Sequence, residues 1–175
     1  YYGFMLPYTP LHYLLLQDSF DALVMTSGNL SEEPIAIAND EALLRLKHIA
    51  DCFLLHDRDI LQRCDDSIVR YRAQNLRMIR RARGFVPQPV NLAYDLKETI
   101  LAVGPELKNT VALARGNHVF LSQHIGDLDN PAALGFFEHC INHLKGVLDI
   151  EPTAIACDMH PEYLSTKWAR KQDLP

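Results

Sequence analysis

No stretch of this sequence is apolar over the roughly 20 residues that a spanning helix needs, which excludes a chain built around transmembrane helices. Glycine and proline are sparse, at 18 of 175 residues, while core-forming residues make up 48% and charged residues 22%. That balance excludes a collagen-like repeat, a mucin-like stalk and a disordered tail, and describes about one ordinary domain or parts of two. The four cysteines, Cys52, Cys64, Cys140 and Cys157, form no C-x-x-C pair. Neither a zinc site nor a redox motif is therefore encoded, and reduced thiols in a cytoplasmic protein are expected. Tyr1-Tyr2-Gly3-Phe4 holds no initiator Met, basic n-region or cleavage site. The expectation is a piece of a longer chain with no signal peptide. An excess of positive charge is missing too: the net charge of −5 argues against a generic polyanion binder.

The average conceals a local asymmetry. Between Ile68 and Gly84 stand six of the 17 basic residues, Arg70, Arg72, Arg77, Arg80, Arg81 and Arg83, with no acid among them. Like charges on adjacent strands repel one another unless an anion is near, so this stretch points to an anion site.

Two halves are expected, both mixing helix and strand. In the first, Ala22–Met25 and Cys52–Leu55 read as short buried strands, and Asn39-Asp40-Glu41 as the cap of a helix to Ile49. Ser67–Arg72 and Leu76–Arg80 alternate in period two around Gln74-Asn75, which predicts a hairpin. The breaker-rich Pro87-Gln88-Pro89-Val90-Asn91 marks a linker. In the second half, Thr99–Val103, Thr110–Ala114 and His118–Ser122 predict a three-strand meander. A helix is expected from Pro131 to Leu148, a strand over Thr153–Cys157, and a last helix opening at Pro161. The order is β-β-β-α-β-α.

Several motifs could carry chemistry. Thr26-Ser27-Gly28-Asn29 is a polar turn where a glycine lets backbone N–H groups approach a phosphate, although a plain turn would look the same. His56-Asp57-Arg58-Asp59 and Arg63-Cys64-Asp65-Asp66-Ser67 mix both charge signs. They read either as solvated ion pairs or as a pocket wall whose arginines grip phosphate and whose carboxylates orient a substrate or Mg²⁺. Gly104-Pro105-Glu106-Leu107-Lys108-Asn109-Thr110 joins the first two meander strands, the place of the phosphate-binding hairpin in actin-like ATPases. His124 and His160 each follow a strand, where α/β ligand crevices lie, and are weak metal candidates beside the plainer reading of hydrogen-bonded structural histidines.

Taken in order, these motifs resemble a known family. Leu6–His12, Met25–Ile35, His56–Ile60, Arg63–Ser67 and Arg80–Pro87 look like the late part of a YrdC-type domain. Gly104–Thr110, Phe120–Leu128 and Cys157–Thr166 follow as in the HypF carbamoyltransferases that mature NiFe hydrogenases. The resemblance implies an α/β (α+β) fold with the end of a YrdC-like domain at residues 1–90, a linker at 91–97 and the first lobe of an actin-like domain at 98–175. It implies an enzyme that uses ATP, with Mg²⁺, to turn carbamoyl phosphate into carbamoyl-adenylate. The carbamoyl group then passes to the C-terminal Cys thiol of HypE, on the way to the hydrogenase cyanide ligand.

Within that scheme Thr26, Ser27, Gly28, Asn29, Arg58, Arg63, Asp65, Asp66, Ser67, Arg80, Arg81 and Arg83 are the expected nucleotide and carbamoyl-adenylate residues. Gly104, Lys108, Asn109 and Thr110 are the expected phosphate hairpin. The family's zinc and second-domain metal are expected to have their ligands outside this chain, and the fragment alone is expected to be inactive. The alternatives are a tRNA threonylcarbamoyladenosine-type YrdC enzyme, disfavoured by the fusion of the two segments, and an RNA-binding module built on the arginine strands.

Overall fold

The computed structural model describes residues 2–18, 20–31 and 33–175. Its buried apolar core lies almost wholly in the second half. Of the fully buried hydrophobic residues described, only Ala82 precedes Leu101.

The second half is organised by a five-stranded sheet of order β3-β6-β5-β4-β7. β4 (Ile100–Ala102), β5 (Ala112–Arg115) and β6 (His118–Leu121) form the antiparallel meander, with Leu101 opposite Leu113 and Leu113 opposite Phe120. Gly116 takes a positive φ of 59° in the β5–β6 turn, which suits a residue without a Cβ. Helix α3 (Pro131–Leu148) then crosses to β7 (Ala154–Ala156), which lies parallel to β4. The sequence sets both ends of α3. The Asn130 side chain accepts from Ala133 N at 2.8 Å, Pro131 fills the first turn, and Asp149 closes the helix with a left-handed φ of 51°. Its apolar stripe, Ala133, Phe136, Phe137, Cys140, Ile141 and Leu144, is buried at helical spacing against Leu101, Val103, Val111 and Leu113. Helix α4 (Leu164–Ala169) brings Trp168 edge-on to Phe137 at 5.3 Å. It starts three residues after the expected Pro161, because Pro161 and Glu162 form a turn and Tyr163 takes the extended N-cap conformation.

The expected linker does not hang free. β3 (Val90–Asn91) pairs with β6, and Leu92 and Leu96 donate to the carbonyls of Asn117 and Gly116 at 2.8 and 2.9 Å.

The first half is looser. Helix α1 (Pro10–Leu16), which periodicity had not suggested, is capped by Thr9, whose hydroxyl accepts from His12 N at 3.2 Å. Helix α2 (Asn39–Leu46) is stabilised differently from the expectation. Its N-cap is Ala38, and Glu41 reaches back to accept from Ile37 N at 3.0 Å, while Asn39 donates to His56 O at 2.8 Å. Burial alone would raise the Glu41 carboxyl, but these backbone donors with Arg45 and Arg63 outweigh it and hold it below the usual range. The predicted hairpin is present as β1 (Ile68–Arg72) and β2 (Asn75–Arg80), with Ala73 and Gln74 at positive φ in the turn. The two other expected strands are absent. Ala22–Met25 and Cys52–Leu55 carry no ladder, and Val24 and Leu54 face outward. A short apolar run becomes a strand only beside a partner, and among the described residues neither run has one.

Candidate functional site

A cavity of about 330 Å³ opens where the two halves meet. The first half contributes Ser27, Asn29, Glu33, Arg63, Asp65 and Arg80; the second contributes Lys108, His124, Gly126, Asp127 and Phe136. The two motif groups expected to serve separate phosphate sites therefore share one wall.

The halves are held in register beneath this cavity. Arg63 is fixed from several sides: its Nε donates to Ile35 O at 2.7 Å, it pairs with Glu41 at 3.1 Å, and its guanidinium lies 5.8 Å from the Phe136 ring centroid. Its carbonyl accepts from Gln123 Nε2 at 3.1 Å, and next to it Gln62 Oε1 meets His139 Nε2 at 2.6 Å. Arg45 ties Glu33 and Glu41 together on the same wall. Arg63 is thus a rivet between segments more than a free anion ligand.

The arginine stretch is less uniform than its sequence suggests. Arg80 lines the cavity and faces Asp65 at 3.5 Å. Arg83 turns instead to Asp66 at 3.3 Å and lies over the Tyr8 ring at 5.8 Å. Arg81 donates to Gln88 O at 2.7 Å and lies off the cavity wall, with its Nε buried and unpartnered. The acids just before the stretch, Asp65 and Asp66, supply the compensation that the stretch itself lacks. Ser67 is a fastener, accepting from Ala82 N and donating to Arg83 O, each at 2.8 Å. Thr26, Gly28 and Arg58 are exposed and do not line the cavity.

The second-half hairpin divides its labour. Gly104 has a φ of +67°, and a Cβ there would stand 2.3 Å from Thr110 O, so only glycine fits. Asn109 was expected to face a nucleotide, and the structure corrects that. Its side chain is fully buried, and its amide donates to Val103 O at 2.9 Å and Pro105 O at 2.6 Å, so it shapes the loop from within. Thr110, half-buried, is likewise off the cavity wall. Lys108, at a positive φ of 51°, is the hairpin residue that reaches the cavity, and its N–H donates to Asp127 Oδ1 at 2.6 Å.

His124 lines the cavity, whereas His160 lies outside it, stacked on Tyr163 at 4.3 Å. Burial, then the charge of Arg80, hold the His124 imidazole below its ordinary value and so favour the neutral ring. Burial likewise pushes the Cys64 thiol up. Among the described residues no group of three or more His, Cys, Asp or Glu converges as a metal cage. Glu33, Asp127 and Phe136 line the cavity but were not among the expected site residues. Glu33 and Asp127 carried a signal, each standing inside a motif of the resemblance, Met25–Ile35 and Phe120–Leu128.

A YrdC-like segment running into an actin-like, Kae1-like lobe is the class of protein this mixed α/β fold defines. The family model described as the HypF Kae1-like domain matches residues 95–175, and the one described as telomere recombination, for the Sua5, YciO and YrdC proteins, matches residues 1–82. The chain is 47% identical over 173 residues to carbamoyltransferase HypF of Synechocystis, covering 99% of this chain and 23% of that protein. The crystal structure of full-length HypF in the phosphate- and nucleotide-bound form superposes with a TM-score of 0.93 at 50% identity, over 98% of this chain and 27% of that one. HypF of T. kodakarensis gives 0.88 at 40% identity, over 95% of this chain and 22% of that one. The chain belongs to the HypF family. It spans about a quarter of the length of the relatives it matches.

Proposed function

We propose that this chain is part of an ATP-dependent carbamoyltransferase of hydrogenase maturation, with one cavity serving two successive steps. The observation that carries this reading is the shared wall: Ser27, Asn29 and Arg80 from the YrdC-like segment face Lys108 and Asp127 from the Kae1-like lobe. A relative's structure holding phosphate and nucleotide supports it.

In the first step water splits carbamoyl phosphate into carbamate and inorganic phosphate; a carbamate oxygen then attacks the α-phosphorus of ATP, and pyrophosphate leaves. Arg80 offers its planar fork to the phosphates, and the Ser27 and Asn29 side chains add neutral donors. Mg²⁺, which takes one or two carboxylates together with substrate phosphates, would find Asp65 and Asp127 on the wall and would neutralise phosphate charge. In the second step the C-terminal Cys thiol of HypE attacks the carbamoyl carbon and AMP leaves. Lys108 sits where it can stabilise the negative charge that gathers on the carbonyl and the departing phosphate.

The test is ATP–pyrophosphate exchange dependent on carbamoyl phosphate, in the full-length protein carrying Arg80→Ala. Exchange should fall by about tenfold or more, the loss of one charge-assisted phosphate contact. Wild-type exchange in a folded variant would refute the assignment of the cavity.

A further inference from the structure

The cavity holds several ionisable groups, and all but one of the possible proton acceptors are engaged. Glu33 pairs with Arg45, Asp65 faces Arg80, and Asp127 accepts from the Lys108 backbone. The Cys64 thiol is pushed towards its protonated form by burial. His124 differs. No hydrogen bond reaches its ring among the described residues, yet the residues on both sides of it are pinned. Ser122 Oγ accepts from Val111 N at 3.0 Å, Gln123 Nε2 donates to Arg63 O at 3.1 Å, and Ile125 N donates to Asn109 O at 2.9 Å. An open lone pair on a fixed scaffold is what proton transfer requires.

We propose that His124 is the base that removes the proton from the attacking thiol in the transfer step, an assignment that rests on the carbamoyl-transfer reading above. The S–H proton passes to an imidazole nitrogen as the sulfur–carbon bond forms. The tetrahedral intermediate then collapses, the carbon–oxygen bond to phosphate breaks, and its electron pair leaves with AMP. The proton on the imidazole returns to solvent, so the products are a thiocarbamate, AMP and one released proton.

The charges facing the ring suit this role. Arg80 and Asp65 approach it from the first half, and Lys108 and Asp127 from the second. Burial first, then Arg80 and to a lesser degree Lys108, disfavour the imidazolium and keep the lone pair available at neutral pH, and the two cations attract the thiolate as it forms. The two carboxylates temper that effect without capturing the ring.

The experiment uses full-length wild-type, His124→Gln and His124→Asn proteins. Single-turnover transfer from preformed carbamoyl-adenylate to an acceptor peptide ending in Cys is followed across about pH 5.5 to 9, with ATP–pyrophosphate exchange measured on the same samples. Transfer should fall about 10²–10⁴-fold more than exchange. The wild-type rate should fall off only below about pH 6.5, the ordinary imidazole value, whereas the variants should already lose rate below about pH 8.5, tracking thiol ionisation. A transfer-to-exchange ratio within about threefold of wild type, or variants whose rate falls off at the same pH as the wild type, would overturn the proposal. So would a wild-type transfer rate with no acid limb below about pH 7, which needs no variant to fold. A wild type lacking carbamoyl phosphate-dependent exchange would instead remove the functional reading beneath it.

Discussion

Asn109→Ala separates a scaffold role from a ligand role at the hairpin. The Asn109 amide is fully buried and donates to Val103 O and Pro105 O. Truncation strands two carbonyls, at about 1–3 kcal/mol each, so the gross loss is about 2–6 kcal/mol. Against this stands Asn109 Oδ1, which is itself buried with no partner, so its removal returns about 1 kcal/mol or more. The net destabilisation is about 1–5 kcal/mol, or at a urea slope of about 2 kcal/mol/M a fall of about 0.5–2.5 M in the midpoint. Trp168, the only tryptophan, packs on Phe137 in the same core and reports that unfolding by fluorescence. Asn109→Asp should be worse, since it removes the donors, keeps the buried acceptor and adds charge. A midpoint for Asn109→Ala within about 0.3 M of wild type would refute the scaffold role and return the side chain to the cavity as a ligand group.

Further outcomes follow from the same contacts. Gly104→Ala must either flatten a left-handed residue or push a methyl against Thr110 O, and should cost about 2 kcal/mol or more in the same urea assay. Lys108→Ala in the full-length protein should lower single-turnover transfer by about 10²–10³-fold, a larger loss than in pyrophosphate exchange; equal losses would count against a role in the second step. The Glu41 carboxyl is held below its ordinary value, so its contribution to stability is complete above about pH 4.3, the unfolded value, and is lost as pH falls through the lower folded value. Glu41→Gln should therefore flatten that part of the acid-unfolding profile measured by circular dichroism. Burial drives the Cys140 thiol up to about 12, so a thiol reagent at about pH 8 should modify exposed Cys52 and Cys157 and leave Cys140 untouched until the chain unfolds.

Much of the second half is written in local sequence. Asn130 and Pro131 start α3, its stripe from Ala133 to Leu144 fixes the buried face, and Asp149 ends it. The β1–β2 and β5–β6 turns are equally local, since each strand pair is joined by a two-residue turn. Period and turn chemistry determine such elements before any distant contact forms. The motif order was sufficient for the family, because several short motifs in fixed sequence are far more specific than any one of them.

The rest needed the tertiary structure. No pattern says that β7 lies beside β4, or that Val90 and Asn91 pair with β6, because pairing is a choice among distant partners. Ala22–Met25 and Cys52–Leu55 look like strands by composition, but a strand is a property of two segments, and neither has a partner among the described residues. Of the neighbours Arg80 and Arg81, identical in sequence terms, only Arg80 reaches the cavity, because alternation along β2 and the following turn send the two side chains apart. Asn109 and Lys108 part in the same way, one inward to two carbonyls and one outward to the cavity. Residue types set which chemistry is available; the direction of each side chain, fixed by packing between the halves, decided which of them meet in one cavity.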